Sequence, residues 1–167
     1  MCDTGVIYYR EEQRFRQLWI WLLILMSPAF LIGVLLQQII LGHSYDFGWV
    51  ILAIILALGP LLLIYNTGLD TEVRDSGVCI RFRPFHRKWR VFRFDSIREA
   101  EACTYSALKD YGGWGIRYGF NGKAYNVSGN KGVMLILSDQ KSVMIGSRNH
   151  DTFCSAINQR LLAHRSS

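Results

Sequence analysis

Ionisable side chains are missing from two long stretches of this 167-residue chain, residues 18–41 and 48–65. As helices the two stretches would be about 36 and about 27 Å long, against a bilayer hydrocarbon core of roughly 30 Å. Both are therefore long enough to span, and we expect an integral membrane protein with two spans. Because charged residues inside a membrane mark transport paths, their absence here disfavours a pump or transporter.

The motifs of common enzymes and metal sites are also missing. No Walker A loop or dinucleotide fingerprint is present, and no histidine stands in a recognisable nucleophile motif. The chain has four scattered cysteines without CxxC spacing, namely Cys2, Cys79, Cys103 and Cys154. That pattern signals neither a zinc site nor a disulfide framework, so we expect four reduced thiols. We predict that the protein is not an enzyme and has no cofactor or metal.

Positive charge is unevenly distributed around the two spans. The segment before them has three arginines, the connector 42–47 has none, and the chain from residue 70 onward has sixteen Lys or Arg against nine Asp or Glu. The positive-inside rule then predicts a multi-pass protein of the plasma membrane with both termini in the cytoplasm. The predicted parts are a cytoplasmic tail 1–17, a transmembrane hairpin 18–65 and a cytoplasmic domain 69–165. The membrane tether disfavours nucleic acid as a partner, although the chain is basic.

Beyond residue 68 the pattern changes to short alternating runs, which indicate strands. Val78, Ile80 and Phe82 alternate with Cys79, Arg81 and Arg83, so one face of that strand can enter a core. Further strands are predicted at 89–94, 97–105, 116–120, 124–127, 133–137 and 142–145, with a type I′ turn at Asn121 and Gly122 and a polar connector at 106–113. A last helix begins near Asn149 or Asp151, and Phe153, Ile157 and Leu161 form its apolar face.

The predicted fold is therefore α+β, a transmembrane helical hairpin followed by an antiparallel β domain that ends in an α-helix. A resemblance to a known family lies in the pattern and order of four segments, namely 71–73, 111–117, 126–133 and 145–148. On these segments the chain resembles small bacterial membrane proteins with two transmembrane helices and a pleckstrin-homology-like (PH-like) cytoplasmic domain. The resemblance implies a split β-barrel closed at one corner by the C-terminal helix.

The strongest candidate site is a basic hairpin, residues 81–93, which contains no acidic residue. Its members are Arg81, Arg83, His86, Arg87, Lys88, Arg90 and Arg93. In PH-like folds an early hairpin of this kind can bind anionic lipid headgroups, and cations near an anionic leaflet favour adhesion by about 1 kcal/mol each. The alternative is that these charges only set membrane topology.

Two weaker candidates lie further along the chain. Trp114 stands among three glycines and, with Arg117, would form a binding lip; the alternative is a tight turn with Trp114 in the core. Lys131 lies in a loop of small polar residues. The backbone amides of this loop would bind an anion beside Lys131; the alternative is a plain connection between two strands.

Two functions follow as hypotheses. The first is a membrane-anchored interaction module that binds a partner protein or anionic lipid headgroups through the basic hairpin and the Trp114 lip. The second is a small homo-oligomeric membrane scaffold or pore, packed or lined through Gly33, Gln37 and Gln38, with the soluble domain as a gate.

Overall fold

The computed structural model describes residues 5–42, 47–119 and 122–166, and these form two compact units. The helical unit runs from Phe15 to Thr67. The β unit combines the described residues up to Arg14 with those from Gly68 onward. The chain therefore enters the β unit, leaves it for the two long helices and then returns to it.

The helical unit contains α1, Leu18–Leu41, and α2, Phe47–Asn66. Both are long and apolar enough to cross a membrane, so the two predicted spans are confirmed as helices. The helices contact each other where the Ser27 hydroxyl lies 3.4 Å from the carbonyl oxygen of Ala57. Ala57 is buried, whereas no residue of α1 is. Tyr45 of the connector, an aromatic residue of the kind that favours the membrane–water interface, lies outside the described residues.

The first sheet of the β unit is fully antiparallel and has the order β1-β2-β3-β4. Its strands are β1, Ile7–Arg14; β2, Gly68–Arg74; β3, Gly77–Arg83; and β4, Arg90–Arg93. The predicted hairpin of residues 78–82 with 89–94 is confirmed as β3 and β4. Val78, Ile80 and Phe82 are almost fully buried as expected, and Arg81 and Arg83 are partly exposed, but Cys79 on the other face is buried as well.

Strand β1 has no counterpart in the sequence prediction, which gave residues 1–17 only as a tail. It pairs with β2 in a register that places Arg14 opposite Gly68. Gln13 is buried, and its side-chain amide donates to the carbonyl oxygen of Gly146 at 2.7 Å. The sequence of β1 is largely polar, so its hydrophobic pattern is weak; the pairing with β2 and these long-range contacts define it instead.

The second sheet has the order β5-β8-β9-β7-β6. Its strands are β5, Ile97–Thr104; β6, Gly115–Gly119; β7, Gly122–Asn126; β8, Lys131–Leu137; and β9, Ser142–Gly146. The predicted strands in these regions are confirmed. Asn121 of the predicted turn lies outside the described residues.

The prediction of an antiparallel split β-barrel is wrong in two respects. One pair of strands is parallel, and the sheets do not close into a barrel. Strands β7 and β9 pair in parallel. After β7 the chain first forms β8, which is not a neighbour of β7 in the sheet, and then returns as β9 in the position between β8 and β7. In the part of the chain that the structure describes, nine strands form two sheets that do not close into a barrel. The coarser prediction, an α+β chain with two N-terminal helices and a C-terminal helix, is confirmed.

Two shorter helices complete the β unit. The predicted polar connector 106–113 contains α3, Ala107–Tyr111, whose first turn is capped by the Ser106 hydroxyl. The last helix, α4, His150–Arg165, packs mainly on β5 and β8 and buries Phe153, Ile157 and Leu161, as its pattern predicted. The Phe153 ring stacks on Tyr9 of β1 at 5.0 Å between centroids.

One expectation about the cysteines is corrected. Cys79 of β3 is fully buried and disulfide-bonded, whereas Cys103 and Cys154 are free thiols. Wide sequence spacing gave no sign of this bond, because pairing of cysteines depends on where the fold brings them together.

Candidate anion-binding site

Two arginines of the basic hairpin already have an internal partner. Arg81 and Arg83 both contact Asp70 of β2, with Nη2 to carboxylate oxygen distances of 3.0 and 2.6 Å. Asp70 lies opposite Arg81 in the β2–β3 ladder, and its side chain is only 6% exposed. The alternation of β3 puts both arginines on one face, where a single carboxylate bridges them. These two ion pairs therefore link β3 to β2.

Arg93 is also paired, but at the surface. Its guanidinium lies 3.3 Å from the carboxylate of Asp95, and both side chains are mostly exposed. The same carboxylate contacts the imidazole of His164 from α4. This group lies at the end of β4 that is remote from the β3–β4 turn.

The remaining cations of the hairpin lie on or beside the turn between β3 and β4. Arg87, Lys88 and Arg90 are exposed, and in the described chain none of them forms an ion pair with a carboxylate. The His86 amide donates to the carbonyl oxygen of Phe82 at 2.7 Å, which closes the turn. The Phe82 amide in turn donates to Nδ1 of His86 at 3.3 Å. The imidazole is thereby anchored to the backbone of β3.

His86 and Arg90 belong to a group of cations that extends to the second sheet. The His86 ring meets Tyr125 of β7 edge to face, with 5.7 Å between centroids. Lys123, two residues earlier on β7, places its Nζ 5.0 Å from the Tyr125 ring centroid and 4.8 Å from that of Tyr118. We call His86, Arg90 and Lys123 the cationic cluster.

The charges of Arg90 and Lys123 act on each other and on His86. Burial lowers the pKa of His86, and the positive charges of Arg90 and Lys123 lower that pKa further. Partial burial also opposes the charge on Lys123, but the phenol groups of Tyr118 and Tyr125 outweigh it and raise the pKa of the ammonium. Lys123 therefore stays charged while His86 favours its neutral form.

The other predicted site residues lie apart from the cationic cluster. Trp114 is half-buried and packs against the group of Tyr105, Ala107, Tyr111, Ala124 and Met144, which agrees with its interpretation as a core anchor. Arg117 donates from Nε to the carbonyl oxygen of Trp114 at 3.0 Å and lies opposite Ala124, on the face away from Lys123. Lys131 is exposed at the start of β8.

Sequence reasoning missed Lys123 because it lies far along the chain from the basic hairpin. The predicted turn at residues 121–122 gave no usable signal, because it would place residue 120 opposite Lys123. In the structure Tyr118 is opposite Lys123 in the β6–β7 ladder. The approach of β7 to the first sheet, through Tyr125, could not be read from that spacing.

A groove adjoins the cationic cluster at Lys123. It has a volume of about 750 Å³ and lies between the β6–β7 and β8–β9 hairpins. Tyr118 and Lys123 line one end, and Met134, Ile136 and Leu137 supply apolar surface.

Within the described residues, no group of three or more His, Cys, Asp or Glu side chains is placed to hold a metal ion. No protein-family model matches the chain, and no curated protein gives a significant match. The chemistry available at the cationic cluster is attraction and hydrogen bonding to an anion.

Proposed function

We propose that this protein is a non-enzymatic, membrane-anchored interaction module with a PH-like cytoplasmic domain that binds anionic lipid headgroups at the plasma membrane. The observation that carries the proposal is the set of exposed cations on the β3–β4 turn in a chain with two candidate spans. Arg87 and Lys88 have no carboxylate partner in the described chain, so their charge is available to a membrane surface.

The pairing of β1 with β2 supports a hairpin topology. Three residues separate β1 from α1, and one residue separates α2 from β2. Because Arg14 at the end of β1 lies opposite Gly68 at the start of β2, the chain leaves the β unit and returns to it at neighbouring positions of two paired strands. Two spans connected in this way leave both chain ends on the same side of the membrane.

Charge selects the cytoplasmic side in our proposal, since the β unit is strongly basic and the connector between the helices has no Lys or Arg. The disulfide at Cys79 is the observation that favours the other side, because such bonds persist in oxidising compartments. Fusions of green fluorescent protein and of alkaline phosphatase to the C-terminus decide between them. We expect fluorescence without phosphatase activity; active phosphatase would reverse the orientation.

The lipid test uses the full chain, because β1 precedes the spans and a fragment from residue 68 onward would lack it. We compare hydrogen exchange of residues 85–93 in nanodiscs of phosphatidylcholine with and without phosphatidylglycerol. Two cations near an anionic surface are worth about 2 kcal/mol, so slower exchange is expected only with the anionic lipid. The Arg87→Gln/Lys88→Gln variant should lose this protection.

A matched control removes the same charge from exposed sites outside the hairpin. Arg98→Gln/Lys109→Gln should keep the lipid-dependent protection, because neither residue lies on the β3–β4 turn. Equal protection in both double variants, or no dependence on anionic lipid in the parent protein, would contradict the proposal.

A homo-oligomeric scaffold or pore is the alternative function, and one feature of α1 favours it. Gly33 is exposed, and a Cβ placed on it would meet no atom within 4 Å, so this small-residue surface is open to a second copy. Native mass spectrometry of the protein released from nanodiscs tests this. A monomer under all conditions would exclude the alternative.

A further inference from the structure

The cationic cluster differs from the β3–β4 turn because its residues come from both sheets. His86 and Arg90 come from the β3–β4 hairpin, and Lys123 comes from β7. Tyr125 is in ring contact with His86 and lies beneath the ammonium of Lys123. Tyr125 is only 1% exposed, so the ring that His86 and Lys123 both contact is part of the core.

The hydrogen bond at Nδ1 determines what His86 can offer. Nδ1 accepts the Phe82 amide hydrogen, so in the neutral ring the proton is on Nε2. His86 thus presents an N–H donor without needing to carry a charge. The arrangement provides one neutral donor and two permanent cations.

No carboxylate compensates these charges in the described chain. Neither Arg90 nor Lys123 forms an ion pair there, in contrast to Arg81 and Arg83, which share Asp70. The charge of Arg90 therefore opposes that of Lys123. A bound anion with several acceptor oxygens would relieve that repulsion.

We propose that His86, Arg90 and Lys123 form a binding site for the phosphate group of a phosphate monoester. A monoester carries close to two negative charges and three strong acceptor oxygens, which match two cations and one N–H donor. The groove that begins at Lys123 and Tyr118 has room for the group esterified to the phosphate. This inference deepens the proposed function and rests on it, since a lipid with a phosphate monoester headgroup is one source of the ligand.

The test uses the full chain in phosphatidylcholine nanodiscs with ¹⁵N-labelled histidine. The His86 imidazole signal is assigned with His86→Gln and followed during addition of glycerol 3-phosphate, with uncharged glycerol as the blank. A saturable shift is expected with glycerol 3-phosphate alone. Lys123→Gln and Arg90→Gln should each weaken binding about tenfold or more, as loss of a charge-assisted hydrogen bond predicts.

Two further variants separate binding from folding. Lys123→Arg keeps the charge and should keep most of the affinity, and Lys109→Gln, an exposed cation on α3, should leave it unchanged. Unchanged signals of His150 and His164 in Lys123→Gln would show that the β unit remains folded. Absence of a saturable shift, or equal affinity in Lys123→Gln and Lys109→Gln, would overturn the site.

A second arm identifies the source of the phosphate. Nanodiscs that contain phosphatidic acid should produce the His86 shift without any added ligand if the lipid itself binds. A shift with glycerol 3-phosphate but not with phosphatidic acid supports the site and identifies its ligand as a soluble phosphate monoester and not the lipid. Conversely, lipid-dependent protection of the turn with no shift at His86 supports the proposed function and overturns this inference.

Discussion

Replacing Asp70 by Asn tests whether the hairpin arginines are internal to the fold. Asp70 is buried on β2 and bridges Arg81 and Arg83 of the neighbouring strand through both carboxylate oxygens. Asparagine keeps the shape but removes the negative charge. Two guanidinium groups on the same face of β3 would then lose their shared counter-charge.

The expected loss follows from the geometry of this bridge. A hydrogen bond to a charged group is worth about 1.5–3 kcal/mol, which gives about 3–6 kcal/mol when the two bonds from Arg81 to one oxygen are counted as one and the bond from Arg83 is added. Both arginine side chains are about one third exposed, so water recovers part of this, and the Asn carbonyl can still accept from one of them. We expect a loss of about 2–3 kcal/mol, which corresponds to roughly 5–10 °C in the unfolding midpoint.

The assay must report on the β unit alone, because the helical unit can remain folded in detergent. Cys154 of α4 provides this signal. It is buried, its thiol donates to the carbonyl oxygen of Ala100 at 3.3 Å, and burial raises its pKa, so it reacts slowly while α4 remains packed. Labelling of Cys154 by a maleimide, measured by peptide mass spectrometry during heating, gives the midpoint.

Asp139→Asn is the matched control for the loss of one carboxylate. Asp139 pairs with Lys141 at 2.8 Å, but the two side chains are 51% and 78% exposed, so this change should move the midpoint by no more than roughly 2 °C. Equal midpoints for Asp70→Asn and Asp139→Asn would refute the structural role of the Asp70 bridge.

Three further predictions concern β1, a tight turn and His86. Glu11→Gln should destabilise the β unit by about 1–3 kcal/mol in the Cys154 assay, because Glu11 accepts from the Ser147 hydroxyl at 2.6 Å and from the Arg148 amide at 2.9 Å. Gly77→Ala should lower expression and the midpoint, since Gly77 has φ of +139° and a Cβ there would overlap the Phe92 carbonyl oxygen. Burial and neighbouring cations lower the pKa of His86. The unfolded chain therefore binds that proton more readily, and stability should fall as the pH drops below about 6.5, less steeply in His86→Gln.

Each of these predictions has its own control. Glu12→Gln removes an exposed pair with Arg10 and should change little, so equal effects at residues 11 and 12 would count against β1 as a fixed strand. Gly112 also has positive φ, but a Cβ there meets no atom within 4 Å, and Gly112→Ala should cost less than Gly77→Ala. A stability profile of His86→Gln that parallels the parent between pH 5 and 7 would show that His86 does not contribute.

Much of the fold could be predicted because its elements carry a local periodic signal. The absence of charge marks α1 and α2, and the spacing of Phe153, Ile157 and Leu161 marks α4. The alternation of Ile80 and Phe82 with two arginines marks β3. Strand β1 carries no such signal, since it is a polar segment before the spans. Its pairing with β2 joins residues more than fifty positions apart, and such partners are chosen by tertiary contacts.

The same reason limits what the sequence predicts about the site. The basic run 81–93 is evident in the sequence, but only some of its members have acidic partners once the chain is folded. Asp70, Arg81 and Arg83 are brought together by the β2–β3 register, and Lys123 comes near His86 because both side chains contact the Tyr125 ring. Neither grouping is encoded by proximity in the chain.

Charge density in a sequence therefore overstates the charge that a surface offers. Six Lys or Arg lie between residues 81 and 93, yet three of them have acidic partners, two at Asp70 and one at Asp95. Arg81 and Arg83 are paired because β3 lies beside β2, which supplies the carboxylate of Asp70. Arg87 and Lys88 lie on a turn that faces solvent, and their charge remains available. Lys123 adds to the available charge from a distant strand.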